Sequence, residues 1–492
     1  MEYDLVVIGS GPAGQRAAVQ AAKLGKRVAI VERNFQVGGV SVHTGTIPSK
    51  TIREAVLYLT GYKQRGFYGM AHREREVITP DDVLERVKIT LSNQVEVMHS
   101  QLTRNGVKVV NGQARFIDAN TLCVEQVSGE KRILKTRYVM LAVGTRPLRP
   151  AHIPFDGERI FDSDEVLHFK KMPRTLAVIG GGVIGVEFAT VFSALDVAVT
   201  LIEARPTILD FCDREIIDEF QHQLRDQGMV LRLEEKVVRI DRVQDKVVVQ
   251  LDSGKIVQVD MLLYAAGRVG ATDTLDLEKA GLGADDRGRV VVNDDFQTAV
   301  PNIYAAGDII GFPSLAATSM VQGRLAACHM FRHDYSNQLE FFPYGIYAVP
   351  EISMVGATEK ELKDKQIPYE TGVARFRELA RGQILGLRDG ILKMLFSIED
   401  HRLLGVHIVG EGATELIHVG QAVITLGGTL EYFVDSAFNY PTLAEAYKVA
   451  ALNAWNKLTP YKRLLEGESF AVSDASTIVP MKRDGSDGGV GG

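Results

Sequence analysis

Asp4-Leu5-Val6-Val7-Ile8-Gly9-Ser10-Gly11-Pro12-Ala13-Gly14 opens the chain, and Thr175-Leu176-Ala177-Val178-Ile179-Gly180-Gly181-Gly182-Val183-Ile184-Gly185 repeats its pattern near the middle. Each stretch is a short β-branched apolar run that feeds a glycine turn. After the first turn, Ala17, Ala18, Ala21, Ala22 and Leu24 recur at helical spacing, and the run Arg27 to Val31 then ends at Glu32. After the second, a helix leads to the run Val197 to Ile202, which ends at Glu203. Both copies read as strand–helix–strand units with parallel strands buried on both faces, an internal duplication within an α/β fold.

Outward from these units the signals are local. Thr79-Pro80-Asp81-Asp82 starts a helix, with an N-cap hydroxyl, a proline in the first turn and acids at the positive end of the dipole. Val83, Val87, Leu91, Val95, Met98 and Leu102 carry it to about Arg104. Strand-like runs follow at Val107 to Val110, Thr121 to Val124 and Tyr138 to Val143; Met261 to Ala266 closes the second unit in the same way. Thr298 to Asp308 reads as a further buried strand ending in an acid. From about Phe341 the texture changes to strands at Tyr344 to Ala348, Ile391 to Ser397 and Leu403 to Val409, with helices at Thr414 to Leu426 and Thr442 to Leu458. This reads as a separate α+β domain. The glycine-rich segment 467–492 reads as a disordered tail.

The chain has 492 residues, 46% hydrophobic and 24% charged, and a net charge of −6, with no basic excess for nucleic acid or an anionic membrane surface. No apolar run reaches the roughly 18 to 20 residues of a spanning helix, and a strand starting at about Asp4 leaves no room for a signal peptide. Cys123, Cys212 and Cys328 lie far apart, which suits neither a disulfide framework nor a metal pattern and fits a reducing cytoplasm. No metal site is expected.

A glycine turn between strand and helix has a specific chemistry. The first glycine makes the turn, the second lets the backbone approach a pyrophosphate, and the third lets helix pack on strand. The helix N-terminus holds phosphate charge and the acid ending the second strand accepts from ribose hydroxyls. Two such sites imply two redox carriers that meet, and flavin with nicotinamide is the common pairing. Asp308 is placed to reach the ribityl chain of FAD.

From residue 1 to about 465 the chain resembles the flavin-dependent pyridine nucleotide–disulfide oxidoreductases. Gly9 to Gly14, Gly144-Thr145-Arg146-Pro147, the Gly180 repeat, Ala266-Gly267-Arg268 and Ala305-Ala306-Gly307-Asp308 carry the match. The most specific segment is Gly38-Gly39-Val40-Ser41-Val42-His43-Thr44-Gly45-Thr46-Ile47-Pro48-Ser49-Lys50. In the family this segment holds the redox cysteine pair beside the flavin; here those positions are Ser41 and Thr46. A hydroxyl neither forms a disulfide nor ionises usefully near neutral pH. The family's catalytic histidine is also replaced. Tyr440 stands in its place in Phe438-Asn439-Tyr440-Pro441-Thr442, while its partner glutamate remains as Glu445. Tyrosine, with an ordinary pKa of about 10, is a poor base.

What the resemblance retains is the flavin–nicotinamide half. It implies that Lys50 sits by the isoalloxazine and pairs with Glu187, the two catalytic candidates. Candidate FAD residues are Gly9, Gly11, Pro12, Ala13, Gly14, Glu32, Arg33, Gly39, Thr46, Lys50, Gly144 and Asp308. Candidate NAD(P) residues are Gly180, Gly182, Gly185, Glu187, Glu203, Arg205 and Gly267. His43 is as well explained by a structural hydrogen bond and stands outside the catalytic set.

Hydride that enters from one nicotinamide and cannot leave to sulfur leaves to a second nicotinamide. The segments around Thr46 and Tyr440 resemble the soluble transhydrogenase branch of the family. This implies Si-specific, ping-pong exchange between NADPH and NAD⁺. Glu203 suits a free ribose hydroxyl and Arg205 a 2′-phosphate. Alternatives are a diaphorase-type NAD(P)H–quinone reductase, a non-catalytic flavin-binding interaction protein and, more remotely, a disulfide reductase using another cysteine. The implied architecture is an FAD domain at 1–150 and 272–340, an NAD(P) domain at 151–271 and a dimerisation domain at 341–466. A homodimer or larger homo-oligomer is expected, and Ala271 departs from the asparagine of many relatives.

Overall fold

Tyr3–Ile8 lies inside a parallel array in the computed structural model, which describes residues 2–69, 77–334 and 341–465. Val28–Glu32 pairs with it on one side and the second half of Lys131–Leu141 on the other. Lys108–Asn111 and Ile303–Ala305 extend the array in parallel. Strands covered on both faces need apolar side chains at successive positions, and Leu5, Val6, Val7, Ala29 and Ile30 are fully buried. Lys131–Leu141 serves two sheets of different character. Its first half alternates between solvent and core and pairs antiparallel with Thr121–Glu125, which continues to Gln113–Asp118. From Thr136 the pairing turns parallel, and Val139, Met140 and Leu141 are buried without alternation.

The Gly180 copy builds a second parallel sheet in the order Val230–Leu233, Ala198–Glu203, Thr175–Ile179, Met261–Tyr264, Ile160–Asp162. The duplication extends to single hydrogen bonds. Gly9 N–H donates to Val31 O at 2.8 Å, and Gly180 N–H to Ile202 O at 2.9 Å. Ala142 N–H donates to Ile8 O at 2.9 Å, and Ala265 N–H to Ile179 O at 2.8 Å. An antiparallel layer of Val237–Val243, Lys246–Leu251 and Ile256–Val259 packs Ile240, Val247 and Val249 against this sheet. Thr145–Pro147 and Arg268–Gly270 pair antiparallel where the chain passes into and out of the second unit.

The third layer is a five-stranded antiparallel sheet, ordered Tyr344–Ile346, Ile352–Gly356, Leu403–Val409, Ile391–Ser397, Tyr369–Arg375. Ala413–Thr425 and Glu445–Leu465 cover it, with Phe396, Phe433 and Tyr447 fully buried in the shared core. Lys393, on the strand Ile391–Ser397, has no exposed surface. Its ammonium meets Asp213 at 2.8 Å, Glu215 at 2.9 Å and Glu359, and so ties the helix Arg214–Asp226 of the second unit to the third layer.

Several elements differ from expectation: the strand expected at Tyr138 to Val143 runs Lys131–Leu141, and the one expected at Tyr344 to Ala348 ends at Ile346. The helix after Pro441 begins at Glu445 rather than Thr442, because residues 443–444 form turns closed by Ala446 N–H to Leu443 O and Tyr447 N–H to Ala444 O, each 3.1 Å. The strand before Asp308 is only Ile303–Ala305, since Ile303 N–H turns back to Val300 O at 2.9 Å. The helix Pro80–Arg104 starts as expected, with Thr79 and Asp82 capping each other reciprocally. The tail segment 467–492 lies outside the described residues. Among the described residues, no helix is long and apolar enough to cross a membrane.

Candidate functional site

The two glycine turns are alike position by position. Gly9 and Gly180 have φ of +100° and +109°, a region that disfavours any residue with a Cβ. Gly14 and Gly185 face inward: a Cβ on them would stand 2.0 Å from Gly9 O and 1.9 Å from Gly180 O. These two do not line a cavity; they allow the helix to lie on the turn. Gly11 and Gly182, in contrast, have nothing within 4 Å of an added Cβ and border open clefts. Each is followed by a helix start, at Pro12 and Val183, and the first N–H groups of a helix have no partner within it. The turns therefore offer a cradle that fits a pyrophosphate at each helix.

The first cleft is lined by Gly9, Gly11, Pro12, Ala13, Glu32, Arg33, Gly39, Thr46, Gly144 and Asp308. The second, of about 1110 Å³, is lined by Lys50, Gly180, Gly182, Glu187, Glu203, Arg205 and Gly267. They meet along a common wall of Val40, Thr46, Thr145, Asp308, Ser314 and Ala316. Lys50, a candidate for FAD, lines the second cleft and not the first.

Glu32 accepts from Ser10 N–H at 3.1 Å, Ser10 O–H at 2.6 Å and Asn34 N–H at 2.9 Å. Glu203 accepts from Gly181 N–H at 2.6 Å and from Arg205 three times, through N–H at 2.9 Å and through Nε and Nη2 at 3.0 Å each. Burial pushes the Glu203 carboxyl up, but the Arg205 and Gly181 hydrogen bonds outweigh it and hold the group below its usual range. Arg205 also reaches Asp210, through Nη1.

In the second cleft, Lys50 Nζ donates to Glu187 at 2.9 and 2.6 Å. Tyr347, which sequence reasoning missed, completes this arrangement. Its N–H donates to Glu187 Oε1 at 2.8 Å, and its ring lies under Lys50 Nζ, 5.0 Å from the centroid. Thr145 O–H donates to Asp308 Oδ2 at 3.4 Å and accepts from Arg268 Nε at 2.9 Å. Burial raises the Asp308 carboxyl above its usual range, against the pull of Arg268 and Thr145. Arg268, carried by the return strand, was visible in sequence only as part of a motif.

Ser41 sits in the short helix Gly39–His43 and donates to Gly38 O at 3.1 Å. Thr46 begins the helix Thr46–Leu59. His43 Nε2 bonds Val37 O at 3.0 Å, which accounts for it structurally. The three cysteines are free, and none of them lines either cleft. Cys212 is also inert by environment, since burial and then Asp210 and Asp213 push its thiol far up. Tyr440 is 75% exposed, and Glu445 accepts weakly from Thr442 N–H at 3.4 Å.

Residues 3–323 match the family model described as pyridine nucleotide-disulphide oxidoreductase, and residues 342–451 match that family's dimerisation domain. The chain belongs to the pyridine nucleotide-disulphide oxidoreductase family. Within it, a Mycobacterium bovis protein named soluble pyridine nucleotide transhydrogenase is 54% identical over 93% of this chain and 98% of its own length. A Colwellia psychrerythraea protein of the same name is 45% identical over 93% of this chain and 99% of its own. Among solved structures of similar fold, LpdA from Mycobacterium tuberculosis superposes with a TM-score of 0.84 at 25% identity, covering 91% of this chain and 99% of that one. The HOCl-induced flavoprotein disulfide reductase RclA from Escherichia coli superposes at 0.81 with 27% identity, covering 92% and 99%. The family's N-terminal redox region thus contains both parallel sheets, and its dimerisation domain is the antiparallel layer.

Proposed function

We propose that the protein exchanges hydride between the two nicotinamide dinucleotides, NADPH + NAD⁺ ⇌ NADP⁺ + NADH, through FAD held in the first cleft, with both nucleotides taking turns in the second. The observation that carries this reading is the common wall. Lys50 and Glu187 pair in the second cleft, on the helix that begins at the wall residue Thr46 and the helix that follows the Gly180 turn, while the flavin-side positions Ser41 and Thr46 bear hydroxyls and no cysteine lines either cavity. The names of the transhydrogenase relatives agree with it.

Bound FAD supplies the hydride acceptor and donor. The chain's own groups do the rest. The Gly11 and Gly182 cradles and their helix N-termini bind the pyrophosphates. Glu32 keeps an acceptor position for a ribose hydroxyl, and Asp308 does the same for the ribityl chain. The Lys50 ammonium, fixed by Glu187 and by the Tyr347 ring, sets a positive charge in the second cleft, one helical turn from the wall residue Thr46, suited to stabilise negative charge that develops during transfer. Ser41 and Thr46 fill the polar space without offering an electron acceptor. We read the domains as 1–150 with 272–340, 151–271 and 341–466, a division that the separate sheets support. The exposed Tyr440 and neighbouring Glu445 suit contact with a second copy in a homodimer. Three free thiols fit a reducing cytoplasm.

Stopped-flow absorbance of the yellow holoenzyme tests the reading. NADPH should bleach the flavin and NAD⁺ should restore its colour, with no thiolate–flavin charge-transfer band. Recovery with quinones but not with NAD⁺ would instead make it a quinone reductase.

A further inference from the structure

The duplicated turns leave their acids in different states. A carboxylate has about four acceptor positions. Glu32 fills three, with Ser10 N–H, Ser10 O–H and Asn34 N–H. Glu203 fills all four, and two of its donors are the Nε and Nη2 of the Arg205 side chain. A ribose hydroxyl can reach Glu203 only after the guanidinium moves off it. The one remaining nitrogen of that guanidinium, Nη1, is already bonded to Asp210 Oδ1. Asp210 does not itself line the cleft, whereas Glu203 and Arg205 do.

We propose that Asp210 is a positioning residue that sets the balance between the two nucleotides through Arg205. It holds the guanidinium clear of Glu203 when NAD(H) binds, which opens the acceptor positions for the 2′- and 3′-hydroxyls. When NADP(H) binds, it competes with the 2′-phosphate for the same guanidinium. The Arg205 guanidinium is already shared between two carboxylates, Glu203 and Asp210, so a dianionic 2′-phosphate must compete with both for it, and Asp210 adds a like charge beside the phosphate. One side chain thus favours NAD(H) and disfavours NADP(H), an effect of opposite sign that a merely structural loop residue would not have. The inference rests on the reading that both nucleotides share the second cleft.

Calorimetric titration of the oxidised holoenzyme with NAD⁺ and with NADP⁺ tests it without turnover. Asp210→Asn should tighten NADP⁺ and weaken NAD⁺, each by roughly three- to tenfold, the scale of one partly exposed charge contact. Asp210→Glu, which restores the charge, should return both constants toward the starting protein. In an Arg205→Ala background, Asp210→Asn should lose most of its effect. Parallel shifts for the two nucleotides, no shift in either, or an undiminished effect without Arg205 would overturn the proposal while leaving hydride exchange intact. A starting holoenzyme that binds only one of the nucleotides would overturn the shared-cleft reading beneath it.

Discussion

Lys50 Nζ stands 2.9 and 2.6 Å from the two carboxylate oxygens of Glu187, a residue 137 positions further along the chain. The first belongs to the helix that follows the Ser41–Thr46 segment, the second to the helix that follows the Gly180 turn. This bond fixes a cation in the second cleft, on the helix that begins at the wall residue Thr46, and the proposed reaction depends on it.

Lys50→Met removes that charge while keeping the length of the side chain. The flavin should remain bound, and its bleaching by NADPH should slow by about 100-fold or more, the size typical of losing one preorganised electrostatic contact. Stopped-flow absorbance reads both quantities. A bleaching rate equal to that of the starting protein would remove Lys50 from the machinery.

Replacing Cys123, Cys212 and Cys328 together with Ala should leave transhydrogenation within about threefold of the starting rate, under ~0.7 kcal/mol in barrier. None of the three lines a cleft. Steady-state assay of the triple variant, with and without an alkylating agent, decides the matter.

Gly14→Ala and Gly185→Ala should separate the two sites. The added Cβ would collide with Gly9 O in the first and Gly180 O in the second, displacing helix from turn. The first variant should purify without flavin; the second should stay yellow and fail to bleach with either reduced nucleotide. Visible spectra of the purified variants provide the comparison.

Lys393→Ala should destabilise the fold by about 3–5 kcal/mol, because it leaves Asp213, Glu215 and Glu359 facing one another without their buried cation. The intact cluster also predicts acid behaviour. Burial raises the Glu359 carboxyl, but its bonds to Lys393 and Tyr369 prevail and hold it at about 2, below the 4.5 of a free glutamate. Its contribution to stability is complete above pH 4.5 and is lost as pH falls through about 2. Glu359→Gln should flatten that part of the stability curve, measured by urea unfolding across the acid range.

Much of this was legible in the residues themselves. Val6, Ile30 and Val178 sit in unbroken apolar runs because their strands are covered on both faces, and Ile391–Ser397 and Leu403–Val409 have the bounds their composition suggests. The glycines declared their turns because φ near +100° and contacts near 2 Å leave no room for a side chain. Tyr347 was not legible: its bond to Glu187 crosses 160 positions and depends on how the third layer docks. Asp210 was missed for a related reason, since a carboxylate on a loop has no periodicity to announce what its neighbour will do. The helix after Pro441 was read as starting three residues early because the turns at 443–444 share its polarity, and it runs on past Leu458 to Leu465.

The single second cleft beside the flavin-side cleft has a consequence for traffic. On the proposed reading it admits one visitor at a time, so a donor that lingers keeps out the acceptor due to follow. Crowding by either nucleotide then throttles exchange, and throughput peaks when the two pools are matched. The protein acts as a turnstile between pools, answering to their ratio rather than their sum.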